Sequence, residues 1–243
     1  MKTKYLGKKT GSQTSDYSPD LLDSVHRSQN KKFHFYGVDY WNAYEFSFLD
    51  SSNQPVLESI EIKIPLDSSH TVESKSLKIY LASFYKRKFK NSINAYKLIE
   101  RDLSSLINSR VVVRKKVKYD MPPKSILING LSKTIKKNTV VRYKGFRSIC
   151  PVTSQPDWAN IYLHSTTNNL DSKKFIKVLK SFRERGDFHE TCIDSIFITL
   201  INDFKFDDLT LCGRFLRRGG IDINPIRSTK KKIFFKNFRD FNQ

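Results

Sequence analysis

The chain has 243 residues, 38% hydrophobic and 28% charged, with a formal net charge of +20 at pH 7. That is long enough to bury one large core or two small ones. No apolar run approaches the length of a membrane span, and three widely spaced cysteines, Cys150, Cys192 and Cys212, argue against a disulfide framework and for a reducing, cytoplasmic setting.

The N-terminal residues MKTKYLGKKTGSQTS carry charge but no apolar stretch behind it, so no secretory signal is read there. Residues 1–20 are expected to form a flexible polar arm. Tyr44, Phe46 and Phe48, then Ile60, Ile62, Ile64 and Leu66, alternate with polar residues and predict two half-buried strands. Leu77, Tyr80, Leu81 and Phe84 follow helical spacing, with Ser74 or Ser76 as the candidate N-cap. A second helix carries Tyr96, Ile99, Leu103 and Leu106, and Val111–Val113 and Ile126–Ile128 read as strands.

From about residue 138 the order recurs. Strands are expected around Val141 and Tyr143 and around Ile161 and Leu163. A helix with Phe175, Val178, Leu179 and Phe182 ends at Gly186, and another starts near Phe188 with Ile193, Ile196, Leu200 and Phe204 on one face. Leu209, Leu211 and Phe215 predict a strand, and Ile233–Phe235 a last one. The pattern predicts an α+β chain of two ββααββ units, each an antiparallel sheet with helices on one face, over 21–135 and 136–243.

Four strings could carry chemistry. Cys150 opens a segment, Cys150-Pro-Val-Thr-Ser-Gln-Pro-Asp157, whose prolines exclude a helix and make it a rigid loop. A thiol and a carboxyl in such a loop suit a nucleophile and its proton donor if the loop folds back, and Arg142, Lys144 and Arg147 could favour the thiolate. A buried structural cysteine beside a turn is the plainer alternative. His189-Glu190 opens a helix; Glu190 either supports that helix end or pairs through two oxygens with a guanine-like edge. Glu73-Ser74-Lys75-Ser76 reads as a capping sequence, or as an acceptor for a purine-like base followed by phosphate-binding groups. Arg217-Arg218-Gly219-Gly220 offers two guanidinium groups and a permissive backbone, which suits a phosphate or an ordinary basic turn. No Gly-x-Gly-x-x-Gly fingerprint and no P-loop is present, and the five histidines lack metal-ligand spacing with the cysteines.

Taken together, Glu73-Ser-Lys-Ser-Leu-Lys78, Cys150 to Trp158, Phe188-His-Glu-Thr-Cys192 and Arg217-Arg-Gly-Gly-Ile-Asp-Ile-Asn-Pro225 resemble the NADPH-dependent 7-cyano-7-deazaguanine reductases of queuosine biosynthesis, in their long two-unit form. The resemblance runs from about Leu21 to Ser228. It implies two tandem tunnelling-fold units, the ββααββ module shared with GTP cyclohydrolase, and a homodimer. It implies that Cys150 forms a thioimide with the nitrile and that Asp157 donates the proton. Glu73, Ser74, Lys75, His189 and Glu190 would bind the deazaguanine, and Lys75, Ser76, Arg218 and Gly219 would contact NADPH. The connection around 118–138 departs from the pattern by being shorter. Two other readings stand beside this one. A cyclohydrolase of the same fold would need a metal site, and a basic RNA-binding module is favoured by charge alone, though scattered lysines also fit an AT-rich coding bias. The reductase reading requires no metal, no membrane and no direct nucleic-acid contact.

Overall fold

A computed structural model describes residues 4–5, 16–27, 34–241 and 243. Most of the arm expected over 1–20 falls at 1–3 and 6–15, outside the described residues. The chain is α+β, with sheets that are mostly antiparallel and, among the described residues, four α-helices, and it divides into two compact units. One unit gathers residues 41–118, 218–221 and the described residues up to 27; the other gathers 34–40, 119–217 and 222–243.

In the first unit β1 (Ser24–His26) pairs antiparallel with β4 (His70–Val72), and β2 (Tyr36–Leu49), from Trp41 onward, lies in a sheet with β3 (Pro55–Pro65) and β5 (Val112–Lys115). Ile60, Ile62 and Ile64 of β3 are fully buried, as their alternation predicts, and each such side chain contributes roughly 1.5–3 kcal/mol by leaving water. Glu61 is also buried, at 1% exposure, because Arg114 and Lys116 reach it at 2.6 and 3.1 Å. Helix α1 (Ser74–Ala82) buries Leu77, Tyr80 and Leu81, and α2 (Ser92–Ile107) buries Tyr96, Ile99, Leu103 and Ile107.

The N-cap of α1 is Glu73, where Ser74 or Ser76 is expected. Its two carboxylate oxygens accept from Lys75 N at 2.7 Å and Ser76 N at 2.8 Å. Ser76 is not available to cap because its Oγ accepts from Asp23 N at 3.0 Å and donates to Glu73 O at 2.8 Å.

In the second unit β6 (Ile126–Leu127) runs parallel to β8 (Val141–Ile149), which is antiparallel to β9 (Pro156–His164). Then β11 (Thr210–Phe215) pairs with β9 and with β12 (Ile221–Ser228), while β7 (Thr134–Ile135) and β10 (Leu170–Asp171) form a small separate pair. Both helices, α3 (Ser172–Ser181) and α4 (His189–Phe204), cover one face of this sheet: Phe175, Leu179, Ile193 and Ile196 pack with Phe146, Ile161, Leu163 and Phe215. At Gly213 a Cβ would stand 2.7 Å from Ile193 Cδ1, so the glycine leaves room for the Ile193 side chain of α4 against β11. The other face is also covered. Val38, Tyr162, Cys212, Ile226, Phe235 and Phe238 form a second cluster, and Asp240 accepts from Tyr162 Oη at 2.5 Å and Asn160 Nδ2 at 2.7 Å.

Two expected boundaries shift. Helix α3 stops at Ser181 with Phe182 as C-cap, while Gly186 bridges Ile149 instead of ending the helix. Among the described residues the last strand is β12, not Ile233–Phe235: Ile233 and Phe235 pack against the sheet without joining its ladder, and Phe234 is exposed.

Candidate active site

The Cys150 segment folds back as its chemistry requires. Strands β8 and β9 form a hairpin in which Ile149 faces Pro156 and Ser148 faces Asp157. Cys150 N donates to Gln155 O at 2.9 Å and Ser154 N to Cys150 O at 3.0 Å, so the loop closes on itself, with Ser154 at φ +56. Cys150 and Asp157 therefore stand on the two arms of the hairpin, next to its mouth. Cys150 is half-buried; Asp157 is 4% exposed.

The connection between α3 and α4 is bonded to the same hairpin. Ile149 N donates to Arg185 O at 2.9 Å and Asp187 N to Ile149 O at 3.2 Å. This carries the first turn of α4 to Asp157: His189 Nε2 lies 3.3 Å from Asp157 Oδ1, and the imidazole stacks on Phe215 with ring centroids 4.0 Å apart. His189 Nδ1 is buried and has no hydrogen-bond partner among the described residues. Glu190, in the same turn, is 6% exposed. The α4 N-cap, Phe188, supplies no side-chain acceptor, so the turn keeps backbone donors and a positive dipole end.

Of the basic residues preceding Cys150, Arg147 is engaged with Glu184 at 3.1 Å and with Arg183 O, and Arg142 faces Asp240 at 3.9 Å. The other thiols are inert by burial: Cys192 is pushed well above the ordinary range by burial and then by the Asp187 charge, and Cys212 is pushed up to about 11 by burial. Iodoacetamide at about pH 8 is therefore expected to alkylate Cys150 in the native protein and to spare Cys192 and Cys212 until denaturant is added. Peptide mass mapping reads this, and equal labelling of Cys192 in the native state would contradict it.

The first unit holds the other group. Glu73 is 1% exposed, Ser74 and Lys75 are half-buried, and Ser76 is fully buried. Lys75 and Lys78 lie three residues apart on α1 and so share a face. Lys78 packs on the glycine turn: its Cδ and Nζ would stand 3.3 and 3.5 Å from a Cβ at Gly219. Gly219 and Gly220 have φ of +55 and +77, and Arg218 N donates to Ile221 O at 2.9 Å, closing the turn. A Cβ on Gly220 would meet Glu45 Oε2 at 2.8 Å, while Gly219 is exposed. An ammonium, a guanidinium and an uncovered backbone fit a phosphate-bearing cofactor.

Among the described residues no three histidine, cysteine or acidic side chains gather into a metal-binding group. Sequence reasoning missed two partners. Phe215 sits in an ordinary period-2 run that gives no sign of a stacked imidazole, whereas Lys78 could have been found from its i, i+3 spacing to Lys75.

Comparison with known proteins shows the family of the chain. A family model described as "Nitrile reductase, 7-cyano-7-deazaguanine-reductase N-term" matches residues 13–115, and one described as "QueF-like protein" matches 156–233. A protein of Coxiella burnetii (strain Dugway 5J108-111) named NADPH-dependent 7-cyano-7-deazaguanine reductase is 34% identical, the match covering 97% of this chain and 95% of that protein. Proteins of the same name from Desulfotalea psychrophila and from Buchnera aphidicola subsp. Schizaphis graminum are 34% and 35% identical. Their matches cover 94% and 80% of this chain, and 94% and 83% of theirs. At this identity over nearly the whole of both chains, the chain belongs to the family of NADPH-dependent 7-cyano-7-deazaguanine reductases.

Proposed function

We propose that the protein reduces the nitrile of 7-cyano-7-deazaguanine to the aminomethyl group, with NADPH as reductant and Cys150 as covalent nucleophile. The observation that carries this reading is the hairpin that sets Cys150 and Asp157 on its two arms, with His189 3.3 Å from Asp157. Sulfur of Cys150 bonds to the nitrile carbon, and the C≡N bond becomes C=N. The nitrogen must gain a proton as the thiol loses one; Asp157 delivers it and takes up the thiol proton in exchange, with His189 at 3.3 Å as its partner. The resulting thioimide accepts a hydride where the nitrile does not. Bound NADPH supplies hydride, two molecules for the four electrons. Cys150 leaves the carbon between the two reductions, and Asp157 with His189 again governs the proton.

Glu190 and the open Nδ1 of His189 suit the donors and acceptors of the deazaguanine, and the family resemblance assigns Glu73, Ser74 and Lys75 of the first unit to the same ligand. Oε2 of Glu73 accepts one backbone N–H and keeps a second lone pair, whereas Oε1 accepts both Lys75 N and, at 3.3 Å, Ser74 Oγ. Lys75, Ser76, Arg218 and Gly219 are assigned to NADPH; the buried Ser76 hydroxyl is already bonded to Glu73 O and Asp23 N. The strand and helix order shared by residues 21–135 and 136–243 supports reading both as tunnelling-fold units, and the same family reading takes the protein as a cytoplasmic homodimer.

Mixing protein and nitrile without NADPH should raise the intact mass by one substrate, and Cys150→Ala should abolish the rise. An unchanged mass with substrate shown to be bound would defeat the thioimide.

A further inference from the structure

The second unit carries a charged surface that the reaction does not use. Helix α3 buries Phe175, Ile176 and Leu179 and turns Lys173, Lys174, Lys177 and Lys180 to solvent. Lys177 is three or four residues from each of the other three, so the ammonium groups stand together on one face and repel. Lys173 and Lys174 also occupy the first turn, where the helix dipole disfavours a cation. One acid is at hand: Asp171 caps the helix by accepting from Lys174 N at 3.1 Å and lies 4.0 Å from Lys174 Nζ. Among the described residues, Lys173, Lys177 and Lys180 make no ion pair.

The preceding segment extends the charge. Strands β7 and β10 pair Ile135 with Leu170 and Thr134 with Asp171. Lys133 N donates to Ser172 Oγ at 3.0 Å, Ser172 N to Lys133 O at 3.1 Å, and Lys137 N to Asn169 Oδ1 at 3.0 Å. These bonds fasten the exposed Lys133, Lys136 and Lys137 beside the start of α3. No large exposed hydrophobic side chain stands on either segment.

A cationic face that works against its own helix and lacks an internal counter-charge is matched by an external polyanion. We infer that this face binds the phosphodiester backbone of nucleic acid. From Lys173 to Lys180 the helix rises about 10 Å, opposite which a duplex presents about six charges. The want of an apolar side chain to enter a bilayer favours nucleic acid over a lipid surface. The inference is independent of the nitrile chemistry, which requires no nucleic acid.

The test titrates the whole protein against a fluorescent duplex of about 20 base pairs and, separately, against vesicles rich in anionic phospholipid. The variants are K173E/K177E/K180E, its milder form K173Q/K177Q/K180Q, and a control of equal charge change in the first unit, K86E/K88E/K90E. The α3 reversal should weaken duplex binding at least tenfold at about 50 mM salt, and should lower the slope of log K against log salt by about 0.9 for each phosphate that the variant no longer neutralises. The glutamine form, with an unchanged circular dichroism spectrum, should lose affinity in the same direction, and the control should change it less than threefold. NADPH consumption with the nitrile should be the same for the α3 variants and the unaltered protein. Equal weakening by the α3 and control reversals, no duplex binding at that salt, or α3-dependent binding to vesicles alone would each overturn the inference.

Discussion

Asp157→Asn is expected to slow nitrile reduction by about 10²–10⁴-fold, the usual contribution of a positioned general acid, with little change in substrate affinity. Asparagine keeps the shape of the side chain and its place opposite Ser148 on the hairpin, so the loop that presents Cys150 should stay folded. What it loses is the transferable proton. His189, 3.3 Å away, remains as a partner but donates without an acid behind it. Glu190→Leu provides the contrast, because a carboxylate that holds the base by charge-assisted hydrogen bonds contributes roughly 1.5–3 kcal/mol for each. Its removal should weaken binding about tenfold or more per bond, read by calorimetry without NADPH. Binding abolished by Asp157→Asn and intact in Glu190→Leu would reverse the two roles.

The largest effect on stability is expected at Arg227. This guanidinium is fully buried on β12, with Nη1 2.7 Å from Asp39 and Nε bonded to Asp194 of α4. Burial disfavours its charge, yet the two carboxylates outweigh that and hold it protonated. Arg227→Met keeps the apolar stem and removes the guanidinium with which both acids pair. Breaking a buried ion pair from one side typically costs about 3–5 kcal/mol, so the denaturant midpoint should fall sharply. Adding Asp39→Asn and Asp194→Asn should recover much of the loss, because it neutralises the carboxylates that the guanidinium served. A loss under about 1 kcal/mol for Arg227→Met would show that water reaches the cluster. Since α4 also carries His189 and Glu190 in its first turn, the triad fixes the helix on which the proposed site depends.

Much of this was legible in the sequence because periodicity reports burial. Ile60, Ile62 and Ile64, or Phe175 and Leu179, occupy the faces their spacing demands. Strand β12 was not legible, since Pro225 and the glycines before it read as a turn. Ile233–Phe235 was misread because an apolar run looks the same whether it joins a ladder or packs against one. The cap of α1 went to Glu73 because a longer carboxylate spans two backbone donors and Ser76 is drawn to Asp23. At the site, strings of neighbouring residues announced themselves, whereas the approach of His189 to Asp157 and its stacking on Phe215 depend on how a connection lies against a hairpin, which spacing does not encode.

The covering of the second sheet face has a practical bearing on how the protein is handled. Phe235, Phe238 and Asp240 come late in the chain, and they seal a layer made by Tyr162, Cys212 and Ile226. A truncation placed just after Ser228, a natural choice for anyone trimming past the last strand, would leave that layer greasy and wet. Recombinant products so shortened should precipitate or self-associate, so an affinity handle is better attached at the opposite terminus, and a proteolytic nick near Lys230–Lys232 should first be noticed as turbidity rather than as lost chemistry.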